Sequence, residues 1–208
     1  MMYLKKGVTG IKKLLEEEEG DEGCVDDDFS KRIKKVNNKI YFCNDVTSES
    51  ILYLKELLHE LHIELIGCSI KYNFVPIIEL RINSNGGEVF AGLDAYNFIK
   101  TFPIEIHTYV EGFVASSASF LYLAGSKRYI HDNGYILIHQ LSDCTWGKYS
   151  ILEDEMINNK KIMKKIINTY KKYTNLTNKK INEILKNEMY LDAQECIQFN
   201  ISTDLIDI

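Results

Sequence analysis

The stretch Gly112-Phe-Val-Ala-Ser-Ser-Ala-Ser-Phe-Leu-Tyr-Leu-Ala-Gly125 constrains the fold of this chain more than any other. A β-rich run, Ile104-Glu-Ile-His-Thr-Tyr-Val110, ends at Gly112, and the small residues Ala115, Ser116, Ser117 and Ala118 then open an apolar segment with helical spacing. The pattern predicts a strand that turns abruptly into a helix. Ser116 falls at that junction, where the first helical N–H groups lack a backbone partner and the helix dipole is positive. Such a corner can hold an oxyanion. Ser116, Ser117 and Ser119 also fit a plainer role, as small packing residues and a helix cap, so other residues must decide between the two.

Upstream, Lys39-Ile-Tyr-Phe-Cys43 reads as a strand, and Ile51, Leu54, Leu58, Leu61 and Leu65 make Glu49 to Leu65 an amphipathic helix capped by Thr47 or Ser48. His59 and His62 lie on that helix as i,i+3 neighbours. No Cys or carboxylate set completes a metal site around them, so they read as surface histidines. Gly67 to Phe74 reads as an irregular connection. The strand Pro76 to Ile82 then runs into Asn83-Ser-Asn-Gly-Gly87, where two adjacent glycines imply a bent backbone lying close to something. Glu88 to Lys100 has helical spacing, so a strand, a glycine turn and a helix precede the Ser116 corner.

Downstream, Arg128 to His131 and Tyr135 to His139 read as short strands about the turn Asp132-Asn-Gly134. His139 ends the second strand, where the chain opens into a polar run. His131 competes with it but precedes a turn and carries no second signal. Lys148 to Tyr173 is the longest helical pattern, with Leu152, Met156, Met163, Ile166, Ile167 and Tyr170 on one stripe. Its length invites packing against another subunit. A shorter helical pattern, Leu176 to Lys186, leads to two carboxylates. Asp192-Ala-Gln-Glu195 has the form of a helix N-cap followed by an N3 glutamate, which gives Asp192 a structural role and leaves Glu188 without one.

Composition narrows the function classes. The 208 residues, 45% hydrophobic, supply one sizeable core, and a net charge of −5 argues against a nucleic-acid partner. The five Cys are scattered, with no Cys-x-x-Cys pair, so neither a disulfide framework nor a zinc site is indicated, and a reducing compartment fits. With no apolar run of membrane-spanning length and no signal peptide, the expected location is the cytoplasm. Residues 1–38, carrying Glu16 to Glu19 and Asp26 to Asp28, read as an acidic arm, and residues 39–208 as the folded domain.

The order and spacing of these features resemble the Clp protease proteolytic subunit family, ClpP. The resemblance is carried by Ile82-Asn-Ser-Asn-Gly-Gly87, Ala91-Gly92, Gly112-Phe-Val-Ala-Ser116, Phe120-Leu121, Ala124-Gly125, Ile138-His-Gln140, Gly147 and Leu191-Asp-Ala-Gln-Glu195, and it covers roughly Lys39 to Ile208. It implies an α/β fold, a ClpP/crotonase-like spiral of β-β-α units with a protruding handle helix at about 141–173. It also implies a serine endopeptidase that acts on peptides or unfolded proteins, needs no cofactor or metal, and assembles into rings. By position, Ser116 becomes the nucleophile, His139 the general base and Glu188 the triad acid. The N–H groups of Gly87 and Ser117 become the oxyanion hole.

Some positions depart from the family pattern. Asn85 stands for its proline, Ser117 follows the nucleophile in place of methionine, Glu188 stands for aspartate and Asn187 for the neighbouring arginine. The acidic arm replaces the axial-loop sequence, and Ile66 to Asn73 reads as an insertion where AAA+ partners dock. These departures weigh against a double heptameric ring and an AAA+ unfoldase partner. Three other readings share the pattern: a catalytically silent structural subunit, a ClpP-like capsid maturation protease, and an acyl-CoA enzyme of the crotonase type.

Overall fold

The structure, a computed structural model, describes residues 31–206. The acidic segment Met1 to Ser30 therefore lies outside the described residues. The first elements are β1 (Ile33–Val36), β2 (Lys39–Phe42) and α1 (Ser48–Tyr72), followed by β3 (Ile77–Ser84), α2 (Val89–Lys100) and β4 (Glu105–Ala115). Then come α3 (Ala118–Leu123), β5 (Arg128–His131), β6 (Tyr135–Leu137), α4 (Tyr149–Tyr173), α5 (Asn178–Asn187), β7 (Tyr190–Leu191), α6 (Ala193–Gln198) and β8 (Asp204–Ile206).

One sheet runs in the order β1-β2-β3-β4-β5-β8, with β6 joined to β4 and β7 joined to β6. Strands β2, β3 and β4 are parallel, linked through α1 and α2. In β3 the alternation of the sequence sends Ile78, Leu80 and Ile82 inward, fully buried, and leaves Glu79 and Arg81 on the opposite face. Each such aliphatic side chain contributes about 1.5–3 kcal/mol on burial. Ile51, Leu54, Leu58 and Leu61 of α1 and Val89, Ala91, Ala95 and Ile99 of α2 join the same core.

Three expectations from the sequence change here. The folded body begins before residue 39, because Ile33 to Val36 pairs antiparallel with β2 across a tight loop in which Asn37 takes the left-handed conformation. Residues 67–72, expected to be irregular, extend α1. A helix tolerates Gly67 at a cost of about 1 kcal/mol, and α1 stops only where Asn73, left-handed at φ 53°, caps it ahead of Pro76. The strands about Asp132 to Gly134 do not pair with each other. Both lie parallel to β4, β5 along Thr108 to Val110 and β6 along Phe113 to Ala115.

That change of partner is the device that positions the site. Between β3 and β4 the register shifts, so that Ile82 faces Val110 whereas Ser84 faces Val114. The extra residues around Gly112 form a bulge held by Asn83, whose Oδ1 accepts from the N–H of Phe113 at 3.1 Å. A bulge bends its strand and re-aims the residues beyond it. Here β4 leaves β5, takes up β6 and continues to Ala115, past the Gly112 boundary expected from sequence, and delivers Ser116 to the end of the sheet.

Candidate active site

Ser116 occupies a sharp turn between β4 and α3 and takes the left-handed conformation, φ 57°. A non-glycine residue held there is strained by about 1–3 kcal/mol, and such strain persists only where the surroundings impose it. Three contacts impose it. The N–H of Ser116 donates to the Leu137 carbonyl at 2.8 Å, the Ser116 carbonyl accepts from the Ser119 N–H at 3.1 Å, and the Ser119 hydroxyl joins that carbonyl to the Tyr170 hydroxyl of α4. Ser119 is thereby a brace. Ser116 is fully buried, and its Oγ has no hydrogen-bond partner in the structure.

The Gly-Gly turn lies against this corner, as the adjacent glycines imply. A Cβ on Gly86 would stand 2.6 Å from the Ser116 Cβ and 2.7 Å from the Ala115 carbonyl oxygen. On its other side the turn is strapped to Val46, through Val46 N–H to Gly86 O at 2.8 Å and Glu88 N–H to Val46 O at 2.7 Å. A Cβ on Gly87 would stand 2.4 Å from the Val46 oxygen. Gly92, on α2, is pressed against Ser117 in the same way. Among the described residues, neither the Gly87 N–H nor the Ser117 N–H donates to a backbone carbonyl.

His139, expected to end the second strand, lies two residues past the end of β6, and it is buried. Its Nδ1 lies 2.7 Å from the carbonyl oxygen of Gln140, and since a carbonyl can only accept, Nδ1 carries the proton. Burial pushes its pKa below the ordinary histidine value, and the Gln140 carbonyl and, more weakly, the charge of Glu188 oppose that shift. Glu188 caps the C-terminus of α5, left-handed at φ 49°, with its side chain exposed.

Backbone bonds gather these segments. Leu137, which receives the Ser116 N–H, lies opposite Tyr190 in the β6–β7 pair. The Gln140 N–H donates to the Leu185 carbonyl at 3.1 Å. The loop carrying Glu188 is thus fastened to the His139 segment on both sides. Ser116, His139 and Glu188 are not joined by side-chain hydrogen bonds: the serine hydroxyl is unpaired, and the histidine Nδ1 is taken by Gln140. Catalytic hydrogen bonds are often unmade without substrate.

The competing residues fall elsewhere. Asp192 forms the capping box of α6, its side chain accepting from the Glu195 N–H at 2.8 Å while Glu195 Oε2 accepts from the Asp192 N–H. His131 ends β5, paired with β8, and His59 and His62 pack against Phe98 and Phe102. Two contributors escaped the sequence reading, the carbonyls of Leu137 and Gln140, because a backbone group leaves no mark in residue type.

Comparison with known proteins places the fold and the family. The family model for Clp protease matches residues 72–207. The ATP-dependent Clp protease proteolytic subunit of Deinococcus radiodurans is 29% identical over 132 residues, 62% of this chain and 65% of the relative, so the chain spans somewhat less than two thirds of that protein in the match. The subunit of the same name from Mesostigma viride is 26% identical over 169 residues, 78% of this chain and 74% of the relative. A ClpP1 variant from Listeria monocytogenes superimposes with a TM-score of 0.65 at 22% identity, over 79% of this chain and 88% of that one, which shows a shared fold.

Proposed function

Since the chain belongs to the Clp protease family, we propose that it is a serine endopeptidase in which Ser116 is the nucleophile and His139 the general base. The observation that carries this reading is the Ser116 corner: a strained, left-handed serine with an unpaired hydroxyl, tied through its own N–H to Leu137, the last residue of β6 and two residues before His139. A strained strand-to-helix turn is also how α/β-hydrolases present a nucleophilic serine.

In the proposed reaction Ser116 Oγ attacks the scissile carbonyl carbon as His139 Nε2 takes its proton. His139 returns that proton to the leaving amine, and water then hydrolyses the acyl-serine by the same route. The N–H groups of Gly87 and Ser117, free of backbone partners, would receive the oxyanion, each such donor being worth about 10²–10³ in rate. Glu188 stands at the triad-acid position and contributes negative charge toward the imidazolium. Ser116 is enclosed, so peptide entry requires local opening of the site.

The substrate class is peptide or unfolded protein, and the active assembly is a homo-oligomer formed through α4, without nucleic acid. Asn187 in place of the family's arginine and the Ile66 to Asn73 segment weigh against a role alongside an AAA+ unfoldase. Among the described residues no helix is long and apolar enough to cross a membrane, and a cytoplasmic site of action is part of the proposal. The rival reading of a catalytically silent subunit draws on the unmade Ser116–His139 hydrogen bond. Labelling with a fluorophosphonate, with mapping of the modified residue, separates the two. The peptidase requires labelling at Ser116, lost together with peptide cleavage in Ser116→Ala. Labelling that maps to Ser117 or Ser119, or survives Ser116→Ala, overturns the assignment.

A further inference from the structure

A triad acid ordinarily does two things: it holds the histidine in the tautomer whose Nε2 lone pair faces the nucleophile, and it stabilises the imidazolium that forms. We propose that these tasks are divided here, the backbone carbonyl of Gln140 being the positioning group that sets the tautomer of His139, while Glu188 supplies charge alone. This rests on the reading of His139 as general base.

The Nδ1–H of His139 is donated to the Gln140 oxygen at 2.7 Å, which leaves the lone pair on Nε2, the nitrogen that must receive the Ser116 proton. The acceptor is not a loose loop carbonyl. The N–H of Gln140 is bonded to Leu185 at the end of α5, and three residues before Gln140 the carbonyl of Leu137 is bonded to Ser116 itself. His139 thus lies between two backbone attachments, one to the nucleophile and one to α5, with its ring buried between them.

Glu188 has the opposite character. It is exposed, sits at a left-handed helix cap, and makes no hydrogen bond or ion pair among the described residues. An exposed carboxylate acts through solvent and is screened by salt. It can favour the imidazolium from a distance, but it cannot dictate which ring nitrogen is protonated.

The test is ¹⁵N NMR of the full-length protein labelled at histidine, with the His139 signals assigned by their loss in His139→Gln, together with kcat on a fluorogenic peptide. The same measurements are made on Glu188→Gln and Glu188→Ala. The expected result is a neutral His139 protonated at Nδ1 in all three proteins, with kcat in both variants reduced about tenfold and more weakly at high salt, as for a screened charge. Three results overturn the proposal: protonation at Nε2 in the unsubstituted protein, a change of tautomer in either Glu188 variant, or a fall in kcat approaching the roughly 10⁴ typical of losing an orienting acid. Fluorophosphonate labelling of Ser116 is read separately, so failure of the peptidase reading is distinguishable from failure of the tautomer assignment.

Discussion

The backbone N–H of Ser116 donates to the carbonyl of Leu137 at 2.8 Å, and Leu137 stands two residues before His139 on the same run of chain. The proposed nucleophile and base, far apart in sequence, are therefore placed relative to one another by the parallel pairing of β4 with β6 rather than by a side-chain hydrogen bond between them. Distortion of the corner should disturb both at once.

Gly86 tests this. A methyl group there would overlap the Ser116 Cβ and the Ala115 oxygen, and the residue itself sits at φ 91°, which favours glycine. Gly86→Ala should lower Tm and abolish labelling of Ser116 in the protein that remains folded. Gly67, in mid-helix with open space around it, is the control. Gly67→Ala should raise stability by about 0.5–1 kcal/mol with labelling unchanged. Thermal melts and labelling of the two variants side by side decide the matter.

The pH dependence comes from the burial of His139. Its pKa is lowered, chiefly because burial disfavours the imidazolium, so the neutral, proton-accepting form persists to more acid pH than an exposed histidine would allow. The acid limb of kcat/KM should lie below the ordinary histidine value of about 6.5. The stability effect has a definite sign: as pH falls from the unfolded value toward the folded one, the unfolded chain binds the proton first, so His139 opposes folding in that window. An acid limb clearly above 6.5 would show a histidine held by a carboxylate instead.

Much of the fold was legible in the sequence, and the parts that were not have physical causes. The alternation in Ile77 to Ile82, the glycine pair and the abrupt corner at Ser116 are local signals, and each gave the right element. The switch of β4 from β5 to β6 was hidden because it depends on the bulge at Gly112 and on pairing between distant segments. The extra turns of α1 were hidden because Gly67 is as compatible with a loop as with a tolerated helix interior. The left-handed conformation of Glu188 and the bond from His139 to Gln140 belong to backbone geometry, on which residue type is silent.

Asp192 separates a structural carboxylate from the proposed functional one, Glu188. Its side chain accepts from Glu195 N–H, and the reciprocal bond from Glu195 completes the capping box of α6. Removing a cap of this kind costs about 1 kcal/mol. Asp192→Ala should therefore melt lower while its folded fraction keeps its turnover of a fluorogenic peptide. A variant that melts normally but fails to turn over would mean that the acid of the site is Asp192 rather than Glu188.

The longest helix, α4, is buried only in part. Ile166 and Tyr170, toward its C-terminal end, are wholly enclosed, whereas Tyr149 is 75% exposed, Leu152 42%, Met156 57% and Ile157 51%. With 25 residues the helix is about 38 Å long; its own domain covers the later turns and, in the earlier ones, the face carrying Glu155, while leaving these apolar side chains exposed. Apolar side chains recurring along a projecting helix form the kind of patch that a second copy of the chain covers, most simply by a symmetric contact of helix against helix. The protein is accordingly expected to sediment as an oligomer at micromolar concentration, and Met156→Glu combined with Leu152→Glu should shift it toward monomer with little change in Tm. Ile166→Ala acts on the internal core instead and should lower stability by about 2–5 kcal/mol. If the unsubstituted protein is a monomer under these conditions, α4 is not an assembly surface and the proposed ring loses its contact.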